Sequence, residues 1–187
     1  EPTMKAREEG LRALLAETGA ALVHPYDDDR VIAGQGTAAK ELLEEVPELD
    51  YVLAPVSGGG LLSGTAIAAK SMRAGIGVIG CEPKNADDAY RSLETGAIQP
   101  SVQPDTIADG LRAQLAPRTF AILRERVDQI ALVSEEEIIR AMRLIWERMK
   151  LVVEPSGAVS AAVAVFRKVE CEGKRVGVIL TGGNLEL

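Results

Sequence analysis

Aromatic residues make up only 3% of the sequence. That is too few for the stacking platforms with which proteins hold single-stranded nucleic acid. Positive charge is in deficit too. The 21 Lys and Arg stand against 28 Asp and Glu, a net charge of −7, which argues against a nucleic-acid backbone as partner. A single histidine, His24, rules out a histidine-based metal cluster and argues against a Ser-His triad. Two cysteines, Cys81 and Cys171, are too few for a disulfide framework and fit a reducing, cytoplasmic setting. No apolar run reaches about 18 residues, so no membrane span is expected. No signal peptide is read, and the opening Glu1-Pro2-Thr3 suggests a processed or truncated product. Internal repeats and low-complexity segments are missing as well.

What is present is a chain of 187 residues, 47% of them hydrophobic, which predicts a packed globular core. Its organising stretch is Val56-Ser57-Gly58-Gly59-Gly60-Leu61-Leu62-Ser63-Gly64. Before it, the apolar run Tyr51-Val52-Leu53-Ala54-Pro55 reads as a buried strand; after it, Thr65 to Arg73 reads as a helix. Glycines without Cβ atoms let backbone N–H groups approach a ligand. A helix start adds unpaired donors and a positive dipole end. The predicted ligand is a phosphate or carboxylate, against the alternative of a tight turn that binds nothing. The stretch has neither the Gly-Lys-Ser/Thr ending of a Walker A loop nor a G-x-G-x-x-G fingerprint with its later ribose acid.

The rest of the chain reads as alternating helices and strands. Thr3 to Thr18 is predicted as a helix with Thr3 as a possible N-cap and Gly19 past its end. Ala20 to Val23 reads as a strand, and Gly34 opens a helix through Val46. The triplet Asp27-Asp28-Asp29 reads as a solvated loop in preference to a metal site, because contiguous Asp side chains diverge. Ile76 to Gly80 reads as a second strand, so Tyr51 to Gly80 forms a strand–helix–strand unit of about thirty residues with parallel strands. Then Glu82 and Asp88 bracket a short turn. They suit either a hard cation or, from spacing alone and in preference, an Asp87 or Asp88 cap on a helix Ala89–Thr95. Gly96 to Gly110 is a long irregular loop, of the kind that is usually functional or mobile. Further on, Pro117–Val127 reads as a helix, Gln129–Val133 as a strand, and Ser134-Glu135-Glu136-Glu137 as a capping box for a helix through Lys150. A helix of small residues running to Glu170, a strand Arg175–Leu180 and the turn Thr181-Gly182-Gly183-Asn184 close the chain. The predicted fold class is α/β, an open and mostly parallel sheet with helices on both faces. Both glycine turns are expected at strand C-termini on one side, where such sheets hold ligands.

These pieces together resemble the pyridoxal-phosphate (PLP) enzymes of the tryptophan-synthase-β fold, specifically the serine/threonine dehydratase and serine racemase group. The likeness runs through Val31-Ile32-Ala33-Gly34-Gln35-Gly36-Thr37, the glycine loop, Glu82-Pro83-Lys84-Asn85-Ala86-Asp87-Asp88 and Thr106-Ile107-Ala108-Asp109-Gly110. It continues through Trp146-Glu147-Arg148-Met149-Lys150, Glu154-Pro155 and Thr181-Gly182-Gly183-Asn184. The stretches keep the family's order over nearly the whole chain.

The resemblance implies that Ser57, Gly58, Gly59, Gly60 and Leu61 hold the PLP phosphate through backbone amides, that Gly110 lies close to the cofactor, and that Thr181 faces the pyridine nitrogen. A neutral hydroxyl there moderates the electron sink. It implies a divalent-cation site, Mg²⁺ or Ca²⁺, on Glu82, the carbonyl of Ala86 and Asp88, which moves the expectation from helix cap to metal. Lys150 and Asn184 match positions that help bind a nucleotide at a subunit interface in the racemase branch, and a homodimer is implied. Tyr26 stands where the racemase often carries an amide side chain near the cofactor, a departure that favours dehydration.

One family feature is missing. The catalytic lysine of the group sits in a Ser/Thr-x-Lys-x-Arg-Gly stretch, and none of Lys5, Lys40, Lys70, Lys84, Lys150, Lys168 and Lys174 lies in one. No Schiff-base residue is therefore assigned. The chain reads as the C-terminal portion of the enzyme, with residues 1–28 the end of a small domain and 29–187 the C-terminal half of the PLP domain. Alone it is expected to be inactive, its partner being the N-terminal remainder. The expected activity of the whole is PLP-dependent dehydration of L-serine or L-threonine to a 2-oxo acid and ammonia. The alternatives are serine racemisation and, from another class, a non-catalytic module that binds a phosphate ligand.

Overall fold

The computed structural model describes residues 4–185. The predicted N-cap Thr3 lies outside them. The elements are α1 (Met4–Thr18), α2 (Asp29–Glu45), β1 (Tyr51–Pro55), α3 (Gly60–Met72), β2 (Gly77–Pro83), α4 (Asp88–Thr95), α5 (Pro117–Arg126), β3 (Gln129–Val133), α6 (Glu135–Leu144), α7 (Pro155–Val165) and β4 (Val176–Val178). A single 3₁₀ turn covers Asp109–Leu111, and a π-helical turn covers Ile145–Met149.

The four strands form one parallel sheet in the order β3-β2-β1-β4. Parallel strands are covered on both faces, which is why β1 is apolar throughout instead of alternating. Successive side chains still point to opposite faces. Leu53, Ile79, Cys81, Ala131 and Val133 pack with the α6 and α7 residues Ile138, Ala141, Val159 and Ala162. Val52, Ala54, Val78 and Ile130 pack with Ala39 and Leu43 of α2, Leu62 and Ala66 of α3 and Leu123 of α5. The predicted sheet with helices on both faces is what forms.

Several local expectations need correction. Ala20–Val23 forms no strand: the segment carries no strand assignment, with Leu22 47% and Val23 62% exposed. A strand exists only where a neighbour completes its ladder, and among the described residues none pairs there. Helix α2 starts at Asp29, not Gly34, because the Asp28 carboxylate accepts from the Arg30 N–H at 2.8 Å and caps it. The acidic triplet is thus a cap and a clamp, since Arg118 pairs with Asp27 and Asp29. Gly36 lies inside α2 because the helix crosses α3 at backbone distance: a side-chain carbon on Gly36 would sit 2.8 Å from the Gly64 carbonyl oxygen. Helix α3 begins at Gly60, so the end of the glycine stretch is its first turn. The helix predicted through Lys150 stops at Leu144, widens into the π-turn, and ends with Lys150 at φ 60°. Helix α7 ends at Val165, short of Glu170. Strand β4 is shorter than Arg175–Leu180, although Ile179 N–H still donates to the Leu53 carbonyl at 3.0 Å.

Candidate functional site

The C-terminal ends of β1 and β4 are neighbours in the sheet, so the turns that follow them face one space. That space is a cavity of about 620 Å³. All seven residues expected to hold the cofactor line it: Ser57, Gly58, Gly59, Gly60, Leu61, Gly110 and Thr181. Their separation in sequence exceeds a hundred residues, and parallel pairing of β1 with β4 brings the two turns together.

The glycine loop is buried and held from behind. Gly59 has φ 89°, the left-handed region that glycine adopts without strain. A Cβ there would also press on Leu115 and Thr119, each at 2.8 Å. The Thr119 hydroxyl donates to the Gly58 carbonyl at 2.8 Å. Gly58 and Gly60 lack side chains for a second reason that the sequence did not reveal: Tyr26 lies against both, its Cβ 2.8 Å from where a Gly60 side chain would begin. Helix α3 begins at Gly60, beside the cavity that Gly58 to Leu61 line, and the first N–H groups of a helix have no acceptor in a preceding turn, the arrangement that binds anions.

Tyr26 is held by His24. The His24 Nδ1 accepts from the Asp27 N–H at 2.8 Å and from the Tyr26 N–H at 3.4 Å, and the two rings meet edge to face at 4.6 Å. The one histidine is therefore a loop staple. Ser57 turns its hydroxyl to the opposite wall, where it accepts from the Ala113 N–H at 3.2 Å. That leaves the Ser57 backbone N–H, not its hydroxyl, as the group available to a ligand.

Beside Thr181, α7 closes the far wall. Gly157 touches the Thr181 carbonyl so closely that no side chain fits between them. Glu154 and Ser156 also line the cavity, and sequence reasoning assigned neither a role. The Glu154 carboxylate accepts from the Asn184 N–H at 2.8 Å and fills the space beside Gly182, whose φ is 62°. Ser156 Oγ accepts from the Gly110 N–H at 3.0 Å and so fixes that glycine. The available signal was their place at the N-terminus of α7, directly before the small-residue run. Lys150 stands outside the cavity and donates to the Glu147 carbonyl at 2.8 Å.

Glu82 and Asp88 lie outside the cavity, at the end of β2 and the start of α4, each 1% exposed. The cap expected from Asp87 or Asp88 is supplied by Glu82 instead. Its two oxygens accept from Ala89 N–H at 3.1 Å and Tyr90 N–H at 2.9 Å, while Asp87 pairs with Arg91 at 2.8 Å. Burial pushes the Glu82 carboxyl well above the usual range and the Asp88 carboxyl up to about 6. Asp88 Oδ2 is buried without a protein partner. A buried, orphaned carboxylate oxygen beside a second carboxylate, with the Ala86 peptide in the turn between, matches the oxygen donors of a hard cation. Among the described residues no group of three or more His, Cys, Asp or Glu gathers to hold an ion, so a carbonyl and water would complete the shell.

The comparisons with known proteins bear on the family and the fold. The family model described as "Pyridoxal-phosphate dependent enzyme" matches residues 1–182. The chain is 48% identical over 189 residues to the serine racemase of Dictyostelium discoideum, covering 99% of this chain and 58% of that protein. It is 50% identical over 182 residues to the L-threo-3-hydroxyaspartate ammonia-lyase of Saccharomyces cerevisiae, covering 97% of this chain and 56% of that protein. The structure of maize serine racemase superposes with a TM-score of 0.97 at 41% identity, over 100% of this chain and 59% of that one. The chain thus spans a little under three fifths of the relatives it matches.

Proposed function

The chain belongs to the pyridoxal-phosphate dependent enzyme family, and on that premise we propose that it forms the C-terminal portion of a dehydratase acting on L-serine or L-threonine, which yields a 2-oxo acid and ammonia. The observation that carries this reading is the convergence of the glycine loop, Gly110 and Thr181 on one cavity. When bound there, PLP supplies the electron sink that allows the substrate Cα–H bond to break.

The residues of this chain bind and orient. The amides of Ser57 to Leu61 and the positive end of α3 hold the phosphate. Thr181, on the cavity wall, would offer a neutral hydroxyl to the cofactor ring, and Gly110, with no side chain, would leave room for it. Tyr26 roofs the glycine loop where a racemase often has an amide, which favours elimination of the β-hydroxyl over return of a proton. A similarity to a 3-hydroxyaspartate ammonia-lyase extends the substrate class to other β-hydroxy amino acids. Glu82, the Ala86 carbonyl and Asp88 hold Mg²⁺ or Ca²⁺.

Residues 1–28 end the small domain and 29–187 belong to the cofactor domain. The lysine that binds PLP lies in the N-terminal remainder, and the whole enzyme is a homodimer, with Lys150 and Asn184 near a nucleotide at the subunit boundary. Among the described residues no helix is long and apolar enough to cross a membrane. Serine racemisation is the second reading, favoured by the likeness to the Dictyostelium enzyme; a phosphate-ligand module without catalysis is the third.

The test is to incubate the full-length protein with PLP and each amino acid and to measure the 2-oxo acid, ammonia and the D-enantiomer. Release of ammonia and 2-oxo acid is expected, with one lysine labelled on borohydride reduction and that lysine outside this chain. D-Serine formed faster than pyruvate would replace dehydration by racemisation. Tight PLP binding with neither product would leave the module.

A further inference from the structure

Thr119, in the first turn of α5, is fully buried behind the glycine loop. Its hydroxyl carries one proton and two lone pairs. It accepts the Ala116 N–H at 3.0 Å, which caps α5. Two carbonyls are within reach of its proton, that of Gly58 at 2.8 Å and that of Ala116 at 3.1 Å. The Ala116 carbonyl already accepts the Phe120 N–H at 2.9 Å. The Gly58 carbonyl has no other donor among the described residues, and Gly58 is buried. A buried carbonyl left unpaired is costly, so the proton belongs to Gly58.

That bond orients a peptide. In a trans peptide the C=O and the following N–H point in opposite directions. The Gly58 carbonyl points back to Thr119, so the Gly59 N–H points away from α5, toward the side on which the loop lines the cavity. Among the described residues no acceptor takes that N–H. With glycine at both ends, the peptide can turn over without a side-chain penalty. Turned over, it would aim a carbonyl at an anion in place of a donor. We infer that Thr119 is the positioning residue of the anion site: its hydroxyl holds the Gly58–Gly59 peptide with the Gly59 N–H aimed at the cofactor phosphate. This rests on the reading of the glycine loop as the PLP phosphate site and adds what keeps the loop a donor. Thr119 touches neither cofactor nor substrate; it acts through Gly58 and Gly59.

The experiment uses the full-length enzyme, stripped of cofactor, as wild type, Thr119→Val and Thr119→Ser. Dissociation constants are measured by fluorescence for PLP and for pyridoxal, which lacks the phosphate, and folding is checked by chemical unfolding. Valine has the shape of threonine without the hydroxyl; Thr119→Ala takes its place if the valine variant does not fold. Thr119→Val should weaken PLP binding by about ten-fold or more, the worth of one hydrogen bond to a charged group. Its pyridoxal binding should change by less than about two-fold, the spread for sites that do not interact. Thr119→Ser, which keeps the hydroxyl, should stay within about two-fold of wild type for both ligands. Undiminished PLP affinity in Thr119→Val overturns the assignment. An equal loss for PLP and pyridoxal also overturns it, because Thr119 would then serve packing alone. So does a serine variant as weak as the valine one. If wild type binds PLP no more tightly than pyridoxal, the phosphate reading of the loop itself fails, and the role of Thr119 with it.

Discussion

The glycine loop and the carboxylate pair sit at the C-terminal ends of adjacent strands, β1 and β2, yet they are built in opposite ways. The loop lines an open cavity with glycine backbone, and Tyr26 from the cavity side and Leu115 and Thr119 from behind approach it so closely that side chains would not fit. The pair offers two acidic side chains in a closed space, each 1% exposed, at a standing electrostatic cost. A backbone site is preorganised by packing and keeps its shape at any pH. A buried carboxylate pair depends on what compensates its charge. The lesson is that one sheet edge carries a site insensitive to ionisation beside one governed by it.

The largest break in this comparison comes from the packed site. Gly58→Val puts a branched side chain into the Tyr26 ring. We expect a loss of about 3 kcal/mol in stability, the upper part of the range for overpacking, and loss of PLP binding, read by chemical unfolding and by cofactor fluorescence. Adding Tyr26→Ala to Gly58→Ala should recover most of the stability lost in Gly58→Ala alone. If it does not, Tyr26 is not what the glycine accommodates.

Glu82→Gln tests the other site. The amide keeps one acceptor but turns an NH₂ toward the N–H groups of Ala89 or Tyr90. A cost of about 2 kcal/mol follows from a buried donor left unmade. The Mg²⁺ dependence of thermal stability should vanish with it. A variant as responsive to Mg²⁺ as wild type would remove Glu82 from the cation site and leave it only as the cap of α4.

The comparison sharpens with pH. Both carboxyls lie above their ordinary values in the folded protein, so protonation favours folding. The stability they contribute is complete below the ordinary Asp value of 3.8. For Asp88 it is lost as pH rises through about 6; for Glu82 the loss extends upward. Without divalent ions, the melting temperature of wild type should therefore fall relative to Asp88→Asn as pH rises from about 4 to 7. Mg²⁺ should restore it at the upper end. A flat difference across that range would show that burial does not penalise the Asp88 charge.

The smallest effect is a control away from both sites. Ser134 Oγ caps Glu137 N–H at 3.3 Å, and Glu137 Oε2 returns to Ser134 N–H at 2.8 Å. Ser134→Ala should cost about 1 kcal/mol with PLP and Mg²⁺ responses unchanged. A change in either response would mean that α6 communicates with the cavity.

Periodicity and local chemistry were enough for some of this. The strand–glycine–helix unit from Tyr51 to Cys81 is local in sequence, and so is the Ser134 capping box, so both were legible. The seven positions that line the cavity were legible through family resemblance, because the motifs that carry them are contiguous. Glu154 and Ser156 were not, since their partners, Asn184 and Gly110, are 30 and 46 residues away. The cap of α4 was misread because Glu82 reaches it from β2, while spacing rules look only at the residues next to a helix. Ala20–Val23 was misread because a strand needs a partner that composition cannot supply.

By itself the sequence determined the class of fold, since apolar runs of strand length alternating with helical stretches have only the two-sided parallel sheet in which to bury themselves. It also determined where an anion could be held, because glycines before a helix start free the backbone N–H groups on their own. Tertiary structure decided what those glycines press against, which carboxyl caps which helix, and how far burial moves the Glu82 and Asp88 carboxyls. These are contacts between segments distant along the chain, and desolvation is a property of everything that surrounds a group once the chain has closed around it.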